Sequence, residues 1–225
     1  MSHVLDNAVW NALNTRQSEL AVGGKLARKY RPEFTILAGV AIETPEAFDE
    51  LKQITAAGEF VGLRSLADLA NVEGWTCRAQ FPILQMVCEE LKPCRPVEFE
   101  TLTPADVPAM RELAKLTQPG PFSTRTNEFG TFIGIKDGGK LVAMAGERMK
   151  VRGFDEISAV CTHPDYQGRG YARALVFEVA RLILERGNVP FLHVKRENVA
   201  GIKSYESIGF KTREELGFFV LSPDK

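Results

Sequence analysis

The sequence predicts an α/β protein with a mixed, twisted sheet, and three observations carry that prediction. Two extended runs, residues 131–135 and 141–151, flank Asp137-Gly138-Gly139, a turn signal for an antiparallel hairpin. An apolar run at 157–161 is followed by a glycine loop, an amphipathic helix over 170–186 and a second extended run at 190–195. Hairpins followed by strand–helix–strand units place antiparallel and parallel pairs in one sheet.

The first half of the chain reads as helix over 7–21, strand over 34–42, helix over 45–55, and strands over 59–64 and 75–88. Pro93 and Pro96 interrupt two periodic regions, so a boundary is expected near residue 95. Residues 1–95 then form a smaller α/β region and 96–225 the main domain. The second half opens with a strand at 97–102. Thr103-Pro104-Ala105-Asp106 follows, a cap, a proline and an acid that start a helix running to about Leu116. Thr44-Pro45 repeats that opener, as a shared plan in both halves or as coincidence. In the helix over 170–186, Leu175, Val176, Val179, Leu182 and Ile183 form an apolar stripe. A helix over 199–207, ended by Gly209, and a strand over 217–221 complete the chain.

Composition narrows the function. Net charge is −1, with 10 basic against 12 acidic residues up to residue 95 and 18 against 17 beyond it, which argues against nucleic acid or an acidic membrane as the main partner. The four cysteines, Cys77, Cys88, Cys94 and Cys161, show no CxxC spacing, and the histidines are His3, His163 and His193. Neither a zinc site nor a secreted disulfide framework is expected. No apolar run approaches the ~18 residues of a membrane span and no leader pattern opens the chain, so a reducing cytoplasm is the expected location.

Residues 155–175 are the most informative stretch. An apolar strand passes Pro164, enters a loop with Gly168 and Gly170, and becomes a helix. Unpaired N–H groups at a helix start, with about half a positive charge from its dipole, form a cradle for phosphate or pyrophosphate. The loop stands as Gln167-Gly168-Arg169-Gly170-Tyr171-Ala172, and a second block runs Asn198-Val199-Ala200-Gly201-Ile202-Lys203-Ser204-Tyr205-Glu206-Ser207-Ile208-Gly209-Phe210.

Together these resemble the [QR]xxGx[GA] loop and the NxxAxxxYxxxGF block of the GNAT superfamily of acyl-CoA-dependent N-acetyltransferases. The likeness is strongest to the branch containing glycine N-acyltransferases, and Gly201 departs from the usual alanine. The resemblance covers about residues 97–221. It implies a sheet splayed at the cofactor slot and an N-terminal region that is often a degenerate relative of the same fold. It also implies acetyl-CoA as acyl donor, with no metal. The backbone of Val160, Cys161 and Thr162 would pair with pantetheine. The amides of Gln167, Gly168, Arg169, Gly170, Tyr171 and Ala172, with Arg173, would hold the pyrophosphate, and Asn198 would bond the pantetheine amide region.

The resemblance also implies Glu156 as candidate general base, since it stands eleven residues before Gln167 like the catalytic glutamate of the family's histone-acetylating members; six strand steps of ~3.3 Å from Thr162, roughly 20 Å, agree by bringing it near the thioester end. Strict alternation puts Glu156, Ser158, Val160 and Thr162 on one face, and a salt-bridged strand-edge glutamate is the competing reading. Tyr205 is the candidate general acid, against ordinary core packing. Phe122 and Arg125, in the polar loop 117–130, are acceptor-side candidates, and an arginine there suits a carboxylate-bearing amine. His163 and His193 read as structural and Cys161 as packed and inert. The expected activity is transfer of an acetyl group to a small-molecule primary amine by direct attack. A non-catalytic acyl-CoA-binding regulator and a nucleotide-binding module stand as alternatives, and a monomer and a homodimer are both compatible with the sequence.

Overall fold

The computed structural model describes residues 3–224. In chain order the elements are α1 (Ala8–Leu13), β1 (Ala21–Gly23), β2 (Ala27–Tyr30), β3 (Ala38–Val40), α2 (Pro45–Gln53), β4 (Val61–Ser65), β5 (Trp75–Val87), β6 (Glu100–Thr101), α3 (Val107–Thr117), β7 (Phe132–Asp137), β8 (Lys140–Val151), β9 (Phe154–Thr162), α4 (Tyr171–Glu185), β10 (Val189–Lys195), α5 (Val199–Ser207) and β11 (Lys211–Pro223). A small antiparallel sheet runs β1-β2-β3, and eight strands form a mixed sheet in the order β4-β11-β5-β10-β9-β8-β7-β6. The expected α/β class with a mixed sheet is what the chain adopts.

Local chemistry explains several boundaries. Thr44 Oγ1 accepts the Ala47 N–H ahead of Pro45, and the Thr103 N–H donates to Asp106 Oδ2 at 2.8 Å, so both Thr-Pro openers start helices. Gly138 and Gly139, at φ 55° and 83°, make the β7–β8 turn that side chains with a Cβ resist. The helix expected over 7–21 stops at Leu13. There Asn14 Nδ2 donates to Trp10 O and Thr15 Oγ1 to Asn11 O, and such side chains compete with helical propagation. β11 is far longer than the expected 217–221, because residues 211–216 continue its antiparallel ladder with β5.

The boundary expected at residue 95 does not separate two sheets. β5, from the first half, lies between β10 and β11 and is antiparallel to both, while β4 covers the far edge of β11. The N-terminal region therefore completes the main sheet. On one face α4 and α5 bury Leu175, Val176, Val179 and Tyr205 against Ile157, Leu192 and Val194. On the other, α1 buries Val9 and Leu13 against Met149, Phe191 and Phe218, while α3 packs Met110 and Leu113 against Met144 and Cys161.

Two irregularities shape the centre of the sheet. The parallel ladder between β9 and β10 ends at Ile157↔Leu192, although β10 stays paired to β5 as far as Lys195↔Ile83. The two parallel strands thus part beyond Ile157. On β9 the register to β8 slips between Ser158 and Cys161, and Ala159 sits at φ 53°, a left-handed position that is costly for a residue with a Cβ. Because Gly146 pairs with Ser158 and Met144 with Cys161, the slip moves Cys161 onto the Ser158 side. Strict alternation through Val160 and Thr162 fails there.

Candidate active site

A cavity of about 1090 Å³ fills the gap where β9 and β10 diverge, and runs from the loop before α4 to Arg64 of β4, Phe81 and Ile83 of β5 and Phe218 of β11. Its first end is the glycine loop. Gly168 and Gly170 take φ 77° and 80°, so here glycine is needed for its backbone conformation; no atom comes within 4 Å of a Cβ built on Gly168. Gly170 caps α4 without a side-chain bond, and the first turn holds no acid. The amides there remain available to an anion. Arg173 Nε is buried without a partner, and Arg169 lies 4.7 Å over the Tyr166 ring.

Along the slot, pairing with β10 has ended and the register to β8 skips Ala159 and Val160, which leaves backbone groups of β9 open to the cavity. Thr162 Oγ1 is buried without a hydrogen bond. Asn198 spends its side-chain oxygen on the Gly201 N–H, 3.0 Å away. The Gly201 departure has a geometric reason, since a Cβ there would stand 2.6 Å from Asn198 Nδ2. Tyr205, on α5, lines the cavity; burial, with Cys161 beside it, pushes its phenol up to about 12. Cys161 is itself pushed up to about 11 by burial, so its thiol stays protonated and inert.

At the far end the structure overturns the simple picture of Glu156 as a free base. Its carboxylate is fully buried. Arg148 grips both oxygens at 2.8 Å, Arg64 Nη2 lies 3.2 Å from Oε1, and His193 Nδ1 is 2.8 Å from the same oxygen. Burial opposes its charge, yet Arg148 and Arg64 win and hold the carboxyl well below the ordinary range. A carboxylate with such partners is a poor proton acceptor and a good anchor. Gln85 fixes the His193 tautomer: its Oε1 accepts from Arg213 and its Nε2 donates to Leu5 O, so that same amide meets His193 Nε2 as a donor at 3.1 Å. The imidazole is neutral, and burial, with Arg64 beside it, lowers its pKa to about 4.

The loop residues expected on the acceptor side are not brought to the slot. Arg125 is closed onto Glu128 at 2.8 and 2.6 Å and lies over Phe34. Phe122 packs edge-on to Phe132, beside a separate cavity under α3. From that loop only residues 117–121 reach the slot. Sequence reasoning missed Arg64, Arg148, Phe81, Ile83 and Phe218 as slot residues. A signal was present: Arg64 in VGLRS and Arg148 in LVAMAGERMKV are charges inside otherwise apolar strands, where an unpaired guanidinium is expensive.

A splayed parallel pair, a bulged strand and an uncapped helix N-terminus with glycines thus line one extended slot across the sheet. Comparison with known proteins agrees with the resemblance. The model of the FR47-like protein family matches residues 132–218. The N-alpha-acetyltransferase RimI of Mycobacterium tuberculosis is 35% identical over 127 residues, which span 52% of this chain and 79% of that protein. A solved acetyltransferase of the GNAT family from Novosphingobium aromaticivorans superposes with a TM-score of 0.93 over 100% of both chains, at 35% identity. A GCN5-related N-acetyltransferase from Kribbella flavida shares the fold at a TM-score of 0.67 and 15% identity, over 97% of this chain and 96% of that one. The chain belongs to the GNAT family of acetyltransferases. Among the described residues no helix is long and apolar enough to cross a membrane, and no group of three or more potential ligands could hold a metal ion.

Proposed function

We propose that the protein moves an acetyl group from acetyl-CoA to the primary amine of a small molecule, by direct attack while donor and acceptor are bound together. The observation that carries this reading is the continuous slot joining the uncapped amides before α4 to Tyr205 and then to the Arg64–Arg148 end. The residues fit the donor. Open amides at Gly168, Arg169, Gly170, Tyr171 and Ala172 and the unpaired Arg173 Nε suit a pyrophosphate, and the free edge of Val160, Cys161 and Thr162 suits the amides of a pantetheine arm. Asn198, as placed, supports that arm chiefly by shaping the start of α5.

When bound, acetyl-CoA supplies an activated acyl thioester. Backbone N–H groups at the Ala159 bulge, where the register to β8 slips and pairing with β10 has ended, would meet the oxygen that gains negative charge during attack. Tyr205 holds its proton across the physiological range and can deliver it to a departing thiolate. Glu156 keeps Arg148 and His193 in place; the acceptor amine enters in its free form, and the proton its nitrogen sheds after attack returns, directly or through water, to the Tyr205 phenolate left when the thiolate is protonated. A buried, protonated Cys161 offers no acyl-enzyme route.

RimI, by its name, acetylates α-amines, so the natural competitor for a small amine is a peptide N-terminus. The test is thiol release from acetyl-CoA with a panel of free amino acids, simple amines and short peptides. Release with small amines but not peptides is expected, and release with peptides alone would move the acceptor to a polypeptide. Tyr205→Phe should lower kcat by roughly 10²-fold or more with CoA affinity retained; an unchanged kcat would remove Tyr205 as the acid.

A further inference from the structure

The buried cluster around Glu156 carries more positive charge than it can neutralise. Arg64 and Arg148 are both charged, with side chains only 7% exposed, against the one carboxylate of Glu156. His193 contributes no negative charge: it is neutral and donates from Nδ1. Tyr30, packed nearby, is a buried neutral phenol bonded to Gln17. Arg148 spends Nε and Nη2 on Glu156 and makes no hydrogen bond through Nη1 among the described residues. Arg64 uses only Nη2, and its Nε and Nη1 are buried without a partner. An uncompensated guanidinium in a sealed site costs several kcal/mol, and an apolar side chain in its place would be cheaper. Both guanidiniums nevertheless line the slot, beside the apolar walls Phe81, Ile83 and Phe218.

On the acetyl-transfer reading above, we infer that Arg64 and Arg148 form a carboxylate subsite, and that the acceptor is an amine bearing both a carboxylate and an apolar side group, such as a free apolar amino acid. Position favours the acceptor over the acyl donor. The cluster lies eleven residues upstream of Gln167, where Glu156 is still paired to Phe191, at the opposite end of the slot from the pyrophosphate loop. A pantetheine arm paired to the open edge of Thr162, Cys161 and Val160 brings its thioester to the Ala159 bulge, short of Glu156. The incoming amine occupies the space beyond it, and a carboxylate drawn to the guanidiniums holds that amine against the thioester. The apolar walls take the side group.

Titration calorimetry with the CoA-loaded protein tests this without turnover. N-acetyl-L-leucine, a product of the inferred reaction, should bind roughly 10- to 100-fold more tightly than N-acetyl-L-leucinamide, which lacks the charge. Arg64→Met should erase that preference while retaining CoA binding; it leaves Glu156 held by Arg148 and His193. Should that variant not fold, the wild-type ratio decides alone. Equal affinity for acid and amide overturns the subsite. A second arm compares thiol release from succinyl-CoA and acetyl-CoA with an uncharged amine: an Arg64-dependent preference for succinyl-CoA would give the carboxylate to the donor and overturn the acceptor assignment. Selective binding of N-acetyl-L-leucine without thiol release from leucine would uphold the subsite while contradicting the transfer reading, so the two failures are separate.

Discussion

Asp155 and Glu156 are neighbours on β9, both sealed from solvent, yet their surroundings solve the same electrostatic problem in different ways. Asp155 faces Arg16 at 2.6 Å, Lys150 at 3.4 Å and Arg186 at 3.5 Å, with Glu147 sharing the last two. Cations outnumber anions there as well, but Arg16 and Arg186 are 39% and 41% exposed and water absorbs the excess. Around Glu156 the excess is locked inside, at the wall of a cavity. A surplus charge at the surface ties the N-terminal region and α4 to the strand, whereas the same surplus in a slot prepares the slot for an anion.

The largest effect should come from breaking the sealed cluster. Arg148→Met leaves Glu156 without its two-point partner, and a loss of about 3–5 kcal/mol in urea unfolding is expected. A loss under 1 kcal/mol would mean that Arg64 and His193 suffice. Acid should act next. Folded His193 has a pKa near 4 against an ordinary 6.5, so the unfolded chain binds the extra proton, and stability should fall as pH drops from 6.5 to 4. Glu156, held below 4.5 in the fold, adds a loss of the same sign below that pH. His193→Gln should flatten the upper part of this decline, and an unchanged slope would exclude His193 as its source. The Asp155 cluster should respond with the same sign in a separate, alkaline window: burial lowers Lys150 to about 8, so its share of stability grows as pH rises from 8 towards 10.5. The smallest effect is expected for Asp155→Asn, about 1–2 kcal/mol. A cost equal to that of Arg148→Met would erase the distinction between the two clusters.

The sequence made much of the fold legible where local chemistry decides it. The Thr-Pro openers, the Asp137-Gly138-Gly139 turn, the stripe on α4 and the glycine loop are all short-range signals, and each forms the expected element. Long-range pairing was not legible. Nothing local to 75–87 says that β5 enters between β10 and β11, and so the break at residue 95 read as a domain boundary instead of a connection within one sheet. The bulge at Ala159 was hidden for the same reason, since alanine carries no sign of a left-handed backbone. At the site, Tyr205 lines the slot, but Glu156 is sealed behind its wall by Arg148 from the adjacent strand and by Arg64, whose strand is distant in sequence. Arg125 was read as an anion binder because a lone arginine in a polar loop looks free, and Glu128, three residues away, takes it up.

The claim that the slot holds a sealed positive charge for the acceptor's carboxylate is tested most directly by a crystal structure of the protein with CoA and N-acetyl-L-leucine. The account predicts the carboxylate within hydrogen-bonding distance of Arg64 or Arg148, with the leucine side chain against Phe81, Ile83 and Phe218. A carboxylate turned towards solvent, with both guanidiniums still facing only Glu156, would contradict it.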